Sequence, residues 1–223
     1  MKLLLGPISS TLLALVFVPL LNLPIFAQSE LSAPQIARKA LPSVVLVICA
    51  NSDNDDISQG SGFFLEPGVV ITNYHVIEGM TRGLVQVAIG ERKEKKNFRI
   101  ARIIGFDKDA DLALLSVPAA IEVGIPSLPL VRQDYKTEVG ETVFALGNPE
   151  GLVGSLTQGL VSASVRSTLK KARIQISAPI SHGSSGGPVV NRFGQVIGVA
   201  VGSLSEGQNL NFAVPASLIY SLY

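Results

Sequence analysis

Gly183-Ser184-Ser185-Gly186-Gly187-Pro188 places three glycines around two serines, with a predicted strand close on either side. A nucleophilic serine needs a tight loop that projects its hydroxyl and aims backbone N–H groups at the oxyanion formed on attack. Ser185 is the candidate nucleophile and Gly183, Ser184 and Ser185 form the candidate oxyanion loop, in which the N–H groups of Gly183 and Ser185 would converge. A plain Gly/Ser hairpin turn has the same composition. This segment alone leaves both interpretations open.

The same residues also fit Gly-x-Ser-x-Gly, the nucleophile elbow of α/β-hydrolases. Those enzymes place the histidine after the serine, and no histidine follows Ser185 in this chain. A base must therefore lie upstream. His75 stands where an apolar strand runs out into a turn, so its imidazole can reach a cleft, and we predict it as the base. His182 lies in the same loop as Ser185, where folding back to the hydroxyl would spoil the oxyanion geometry, so we expect it to line the cleft or meet solvent.

A third member, a buried carboxylate, must fix the tautomer of the histidine and stabilise its cation. Asp107, Asp109 and Asp111 are the candidates. Asp111 directly precedes an apolar strand and is the most easily held in a cleft, whereas the other two flank Lys108 and are typical of a turn. The resulting order His75, Asp111, Ser185 is the order of the chymotrypsin-type fold.

Short apolar runs separated by Gly, Asn, Asp and Pro clusters predict an all-β fold, and this pattern alone fits barrels or sandwiches. The first set of strands is Val44–Ala50, Gly62–Leu65, Val69–Asn73, Leu84–Ile89, Arg99–Gly105 and Leu112–Val117. The second set is Thr142–Leu146, Leu156–Val165, Arg173–Ala178, Pro188–Asn191, Gln195–Val201 and Leu210–Val214. We predict two six-stranded antiparallel β-barrels of the chymotrypsin-like kind, with the active site in the cleft between them.

The predicted organisation has six parts. They are a signal peptide (1–27), an N-terminal segment (28–41), the first barrel (42–118), a linker (119–139), the second barrel (140–215) and a C-terminal segment (216–223). The N-terminal segment is predicted to hold a short helix with Ser32 as N-cap. The charged run Glu91–Lys96 is predicted as a solvated hairpin tip.

Composition excludes several classes of protein. The 223 residues are 47% hydrophobic and 16% charged, with a formal net charge of +1. So little charge argues against disorder, and its balance provides no basic field for nucleic acid. A single cysteine, Cys49, excludes an internal disulfide and multi-cysteine metal sites. We interpret it as a buried apolar residue.

Residues 1–27 have the layout of a secretory signal peptide. Lys2 is followed by an apolar run from Leu12 to Leu21, and Ile25 and Ala27 take the −3 and −1 positions. The alternative is an uncleaved membrane anchor, but the run is short for a bilayer span and Pro19 interrupts it. We expect an extracytoplasmic protein, periplasmic or secreted, with no stable membrane span after cleavage.

With these features, the chain resembles the protease domain of the HtrA (DegP/Deg) serine proteases, in the trypsin-like superfamily. The matching segments are Gly60–Phe64, Ile71–Ile77, Asp111–Leu115, Gly147–Pro149, Thr157–Ala163, Gly183–Pro188 and Asn211–Pro215. The resemblance implies that His75, Asp111 and Ser185 are the triad, and that trimers form. The sequence differs from the family pattern in having Ser184 where the family usually has Asn. We also expect no PDZ domain, which family members commonly carry.

Specificity is predicted from the stretch before the nucleophile. A trypsin-like pocket needs a carboxylate about six residues before the serine, and Ser177-Ala178-Pro179-Ile180 contains none. The resemblance places Ile180 with Val199, Ala200, Val201 and Gly202 at the pocket and substrate strand, which predicts a small apolar P1 residue. Barrel core is the alternative interpretation of these apolar side chains.

The expected function is a serine endopeptidase acting on unfolded or extended polypeptides through an acyl-enzyme, in extracytoplasmic protein quality control. The mechanism needs neither a metal nor an organic cofactor. Two alternatives are kept: a catalytically silent relative that binds unfolded chains as a holdase, and an esterase on the same barrels.

Overall fold

The computed structural model describes residues 29–51, 57–90, 94–148, 154–168, 171–203 and 210–222. The first half holds β1 (Val44–Ala50), β2 (Ile57–Glu66), β3 (Val69–Thr72), β4 (Arg82–Ile89), β5 (Glu94–Arg99), β6 (Arg102–Asp107) and β7 (Leu112–Ser116). The second holds β8 (Thr142–Gly147), β9 (Ser155–Thr168), β10 (Lys171–Ile176), β11 (Pro188–Asn191), β12 (Val196–Ser203) and β13 (Asn211–Pro215). The helices are α1 (Ala33–Ala40), α2 (Tyr74–Ile77) and the 3₁₀ helices Leu41–Ser43, Pro118–Val123 and Ala216–Leu222.

Helix α1 begins at the predicted N-cap. The Gln35 side chain accepts a hydrogen bond from the Ser32 backbone N–H at 2.8 Å, which satisfies a donor that the first turn leaves without an intrahelical partner. The predicted signal peptide lies outside the described residues. Within the described part of the chain, no helix has the length and apolar character that a bilayer crossing requires.

The strands of the first half form one antiparallel sheet in the order β5-β4-β1-β2-β3-β7-β6. β5 and β6 stand at opposite ends of this order, yet only Ile100 and Ala101 separate them in the chain. The Ile100 N–H donates to the Gly83 carbonyl of β4 at 3.0 Å, and the Ala101 N–H donates to the Ser116 carbonyl of β7 at 2.8 Å. The sheet therefore curls until its two ends meet at this corner.

The all-β prediction is confirmed, but the count of six strands in the first half is wrong, because the sheet has seven. The predicted strand Arg99–Gly105 covers the corner, and it contains only the last residue of β5 and the first four residues of β6. β5 starts with Glu94–Lys96, the exposed end of the charged run that was predicted as a hairpin tip; residues 91–93 lie outside the described residues. An exposed, charged edge strand has no apolar alternation to reveal it. It becomes a strand only by pairing with β4, where Ile89 stands opposite Glu94.

The six strands of the second half close into a barrel in the order β10-β13-β12-β11-β8-β9, and the prediction of a six-stranded barrel is confirmed here. The connection between the halves contains the 3₁₀ helix Pro118–Val123, and Leu130 then bridges Val196 of β12. The exact domain boundaries remain a prediction.

The buried side chains of the described residues form two hydrophobic clusters, one inside the first sheet and one shared by both halves. Neighbouring residues on β2 separate them, since Phe64 packs into the first cluster and Phe63 into the shared one. Leu115 and Leu114 divide in the same way on β7. Successive side chains of a strand point to opposite faces, so one face fills the first sheet and the other packs against the second barrel. This shared core packs the two halves against each other.

Candidate active site

His75 and Asp111 are joined by two hydrogen bonds. His75 is the second residue of α2, whose N-cap Asn73 directly follows β3, and Asp111 directly precedes β7. The backbone N–H of His75 donates to Asp111 Oδ1 at 2.9 Å, and His75 Nδ1 lies 2.9 Å from Asp111 Oδ2. A carboxylate at this distance makes Nδ1 the protonated nitrogen, so Nε2 is left as the basic one.

Asp111 is the only non-glycine residue in the described ranges with a left-handed backbone, φ 65°. This conformation costs roughly 1–2 kcal/mol in an L-residue and persists only where the surroundings hold it. Here the Asn73 side-chain N–H₂ donates to the Asp111 carbonyl at 2.9 Å, and the carboxylate is held by His75. Asp111 is buried, with 8% of its surface exposed. By contrast, Asp107 accepts the backbone N–H groups of Asp109 and Ala110, as a turn residue does.

A buried cation lies near this pair. Arg173 of β10 is only 7% exposed, and its Nη1 donates to the carbonyl of Ala172 at 2.8 Å. Burial lowers the pKa of the Arg173 guanidinium, while the negative charge of Asp111 acts in the opposite direction. Arg173 was not predicted as a site residue, because a lone arginine inside a strand pattern does not indicate that it lies near His75 and Asp111.

The loop before Ser185 contains a type II turn. The Ser184 N–H donates to the Ser181 carbonyl at 3.0 Å, with His182 and Gly183 as the central residues. Gly183 has φ 86° and His182 does not have a positive φ, which is the type II combination and needs glycine at the third position. Among the described residues, no acceptor bonds the N–H of Gly183 or of Ser185. The prediction that included Ser184 in the oxyanion hole is corrected here, because the Ser184 N–H already donates to the Ser181 carbonyl and closes the turn.

The Ser185 hydroxyl accepts a hydrogen bond from the Gly202 N–H at 3.2 Å. Among the described residues, the Ser185 hydroxyl makes no other hydrogen bond, and none joins it to His75. A register shift between Val201 and Ser203 interrupts the pairing of β12 with β13, so the Gly202 N–H turns from the ladder towards the Ser185 hydroxyl. The hydroxyl hydrogen itself remains available to a base.

Two glycines after the serine allow the loop to lie against both halves. A Cβ on Gly186, whose φ is +89°, would lie 2.0 Å from the Ser61 carbonyl oxygen, and one on Gly187 would lie 2.1 Å from the Leu146 carbonyl oxygen. Each distance is far inside van der Waals contact, so no larger residue fits without moving backbone. Gly186 and Gly187 are therefore required by backbone packing as well as by access to the loop.

The predicted pocket residues divide by burial. Val199 and Ala200 have no exposed surface and belong to the shared hydrophobic cluster, so in this structure they are core and not pocket wall. Ile180 is 8% exposed, and Val201 and Gly202 are half-buried. The barrel-core interpretation therefore holds for the first two, because a residue in the middle of a barrel strand is covered on both sides.

Two other predictions can be compared with the structure. His182 is exposed, in line with the expectation that it meets solvent. Cys49 is buried in β1, as predicted, and burial raises the pKa of its thiol to about 11.

Ser61 contacts the loop that carries Ser185 and Asn148 holds Ser61, and neither residue was predicted to have a role. The Ser61 hydroxyl donates to the Gly183 carbonyl at 2.6 Å, and the Asn148 N–H donates to that hydroxyl at 2.8 Å. Both stand in segments that carried the family resemblance, each next to a glycine. That adjacency was the available signal, although nothing in it tells which loop the glycine lets approach.

The model of the trypsin-like peptidase domain family matches residues 60–199, which is more than half of the chain. The chain belongs to this family. A trypsin-like peptidase domain has the order His, Asp, Ser that this sequence contains, and the all-β, chymotrypsin-like fold class is thereby supported at the level of the family.

Named relatives extend the comparison. The anti-sigma-I factor RsgI9 of Acetivibrio thermocellus is 31% identical over 202 residues, which cover 89% of this chain and 27% of that protein. The putative serine protease HhoB of Synechocystis sp. is 37% identical over 175 residues, covering 74% of this chain and 39% of that protein. The probable periplasmic serine endoprotease DegP-like of Chlamydia muridarum is 37% identical over 169 residues, covering 72% and 32% respectively.

The solved structure of the HtrA-type protease AlgW with tripeptide has a TM-score of 0.73 and 27% identity, covering 85% of this chain and 62% of that one. The chymotrypsin-like fold and the resemblance to HtrA proteases are confirmed by these matches. This chain spans between about a quarter and two fifths of the length of the three curated relatives.

Proposed function

We propose that this trypsin-like peptidase domain is a serine endopeptidase that cleaves unfolded or extended polypeptides through an acyl-enzyme. The observation that carries the proposal is the double hydrogen bond between His75 and Asp111, which leaves a basic Nε2 on a half-exposed imidazole. The Ser185 loop adds support, because its type II turn leaves the N–H groups of Gly183 and Ser185 without acceptors among the described residues.

In the proposed mechanism, the Ser185 hydroxyl turns from Gly202 to His75 and attacks the scissile carbonyl. The hydroxyl proton passes to His75 Nε2, and Asp111 stabilises the imidazolium through Nδ1. The N–H groups of Gly183 and Ser185 bind the oxyanion of the tetrahedral intermediate. His75 then gives the proton to the leaving amine, and water, deprotonated in the same way, hydrolyses the ester and restores the serine.

The proposed substrate is an extended chain that lies beside the end of β12, where main-chain hydrogen bonds give affinity with little dependence on sequence. On the β11 side, pairing with β12 ends at Val199, and Ala200 is bonded to Gly186 and Gly187 of the loop. Val201 and Gly202 follow as half-buried residues next to the nucleophile. With Ile180 they form the proposed P1 wall, which favours valine or alanine over a charged side chain.

We further propose that the protein acts outside the cytoplasm in protein quality control, as a homotrimer. The signal-peptide pattern of residues 1–27 and the periplasmic name of the DegP-like relative support the location. Trimers are implied by the HtrA resemblance. Size-exclusion chromatography with light scattering on the purified protein tests the oligomeric state.

The test of activity is covalent labelling by a fluorophosphonate, together with cleavage of unfolded casein and of a peptide with valine at P1. Wild-type protein is expected to label and to cleave. Ser185→Ala should lose labelling and about 10⁶ in kcat, because the nucleophile is gone. Ser184→Ala is the matched control, since it removes the neighbouring hydroxyl and keeps Ser185. Wild type that neither labels nor cleaves, or Ser185→Ala that cleaves casein as fast as wild type, would refute the proposal.

One observation favours the holdase alternative: the Ser185 hydroxyl is bonded to Gly202 and not to His75. A silent relative would suppress aggregation of an unfolded protein without cleaving it or reacting with the probe. The same labelling experiment therefore separates the two functions. Comparing peptide with simple ester turnover separates the endopeptidase from an esterase.

A further inference from the structure

Ser61 on β2 connects the first sheet to the catalytic loop. It is completely buried and makes four hydrogen bonds that no regular strand pairing explains. Its hydroxyl donates to the Gly183 carbonyl at 2.6 Å, and its N–H donates to the Ser185 carbonyl at 2.7 Å. The two other bonds hold Ser61 itself: its hydroxyl accepts the Asn148 N–H at 2.8 Å, and its carbonyl accepts the Thr72 hydroxyl at 2.7 Å.

The two carbonyl groups that Ser61 binds belong to Gly183 and Ser185, the same residues whose N–H groups form the proposed oxyanion hole. The Gly183–Ser184 peptide is thereby held at both ends, its carbonyl by Ser61 and its N–H by the Ser181 carbonyl. Gly183 needs such a hold, because glycine populates positive and negative φ about equally. Without the bond from Ser61, the Gly183–Ser184 peptide can tilt about Gly183, and the Gly183 N–H on the other side of the same Cα can move away from the oxyanion position.

We propose that Ser61 is a positioning residue for the oxyanion hole, which it sets by fixing the carbonyl groups of Gly183 and Ser185. This inference rests on the proposed serine endopeptidase function. Ser61 does not touch the reacting atoms, so it acts through the loop alone.

The surroundings of Ser61 restrict its hydroxyl to this task. A Cβ on Gly60 would lie 2.6 Å from the Val76 side chain and 3.1 Å from the Ser185 carbonyl oxygen. A Cβ on Gly147 would lie 3.0 Å from the Ser61 hydroxyl and 3.1 Å from the Ser184 Cα. The loop thus approaches over two glycines. Because the Asn148 N–H occupies an acceptor position of the hydroxyl, its single hydrogen is directed to Gly183.

The test compares wild type with Ser61→Ala and Ser61→Cys in peptide turnover and in binding of a peptide boronic acid, whose tetrahedral adduct places an oxygen in the oxyanion hole. Loss of one oxyanion donor costs about 10²–10³ in kcat, so partial misplacement by Ser61→Ala should cost about 10- to 100-fold. The affinity for the boronic acid should fall by the same factor, and KM should stay within about twofold. Ser61→Cys keeps the shape with a weaker donor and should lie between the two.

Thr81→Val is the matched control. It removes a hydroxyl that donates to a backbone carbonyl, that of Ala50 at 3.2 Å, at a site away from the loop, and it should leave kcat unchanged. A wild-type kcat in Ser61→Ala overturns the inference, as does a loss of kcat with unchanged affinity for the boronic acid. If Ser61→Ala does not fold, Ser61→Cys carries the test, and a wild-type kcat there overturns the inference equally. Inert wild type refutes the proposed function as well, whereas active wild type with unaffected Ser61 variants refutes only the role of Ser61.

Discussion

Asp111→Asn should separate catalysis from folding in this protein. Asparagine has the same shape and tolerates the left-handed backbone that Asp111 adopts at φ 65°. Its Oδ1 can still accept the His75 backbone N–H. At the other position an N–H₂ replaces Oδ2 and faces Nδ1, 2.9 Å away in the wild type. An amide N–H₂ can only donate, so Nδ1 must become the acceptor, and the imidazole proton moves to Nε2.

An imidazole protonated on Nε2 cannot take the proton from Ser185. The expected loss in kcat is about 10⁴, as for a triad in the wrong tautomer, which is about 5.4 kcal/mol at 1.36 kcal/mol for each factor of ten. The number of hydrogen bonds is unchanged, and only the charged partner becomes neutral. Stability should therefore fall by no more than about 1 kcal/mol. In a domain of this size that is a shift of roughly 2–4 °C in Tm.

The assay measures kcat on the valine peptide and the rate of fluorophosphonate labelling, with a thermal melt of each variant. Asp107→Asn is the control, since Asp107 lies in the same run and its Oδ1 accepts two turn N–H groups that asparagine can also satisfy. An Asp111→Asn enzyme with more than about a tenth of the wild-type kcat would refute the tautomer argument, because a loss of four orders of magnitude is expected. An equal loss in Asp107→Asn would show that the effect is not specific to the pair with His75.

Two further predictions concern stability and reactivity. Gly140 has φ +92° and open surroundings, so Gly140→Ala should lower the free energy of unfolding, measured by urea denaturation, by about 1–2 kcal/mol. Gly186 has φ +89° and an added Cβ would lie 2.0 Å from the Ser61 carbonyl oxygen, so Gly186→Ala should lower it by at least about 4 kcal/mol. Equal losses in the two variants would contradict the role given to backbone packing at Gly186. Cys49 should resist iodoacetamide at pH 8 in the native state and react after denaturation, because burial raises the pKa of its thiol from 9.0 to about 11. The stability that this raised pKa contributes is present below pH 9 and is lost as the pH rises through about 11. Alkylation of native Cys49, counted by mass spectrometry, would contradict it.

The apolar strands were predictable because their side chains carry their own signal. β1 is a run of Val, Leu, Ile and Cys that is buried on both faces, and such an apolar, β-branched run predicts a strand. Most of β5 was not predicted as a strand, because it is exposed and charged and only its pairing with β4 makes it a strand. The corner at Ile100 was hidden for the same reason, since hydrogen bonds to Gly83 and Ser116 are contacts with distant strands.

The candidate site shows the same division. His75, Asp111 and Ser185 could be proposed from the sequence because the proposed chemistry requires these residue types in a known order. The engagement of the Ser184 N–H by Ser181 was not predictable, since it depends on the φ of Gly183. Nor was the choice between pocket wall and barrel core for Val199 and Ala200, which follows from the closing of the barrel around β12.

By itself, then, the sequence determined the all-β class, the position of the strands with apolar patterns and the residue types needed for acyl transfer, because composition, periodicity and chain order are local properties. Only the tertiary structure decided that Ser61, more than a hundred residues before Ser185, holds the carbonyl groups of Gly183 and Ser185. A hydrogen bond has a range of about 3 Å, and which groups come within it depends on how the two halves pack, not on their separation along the chain.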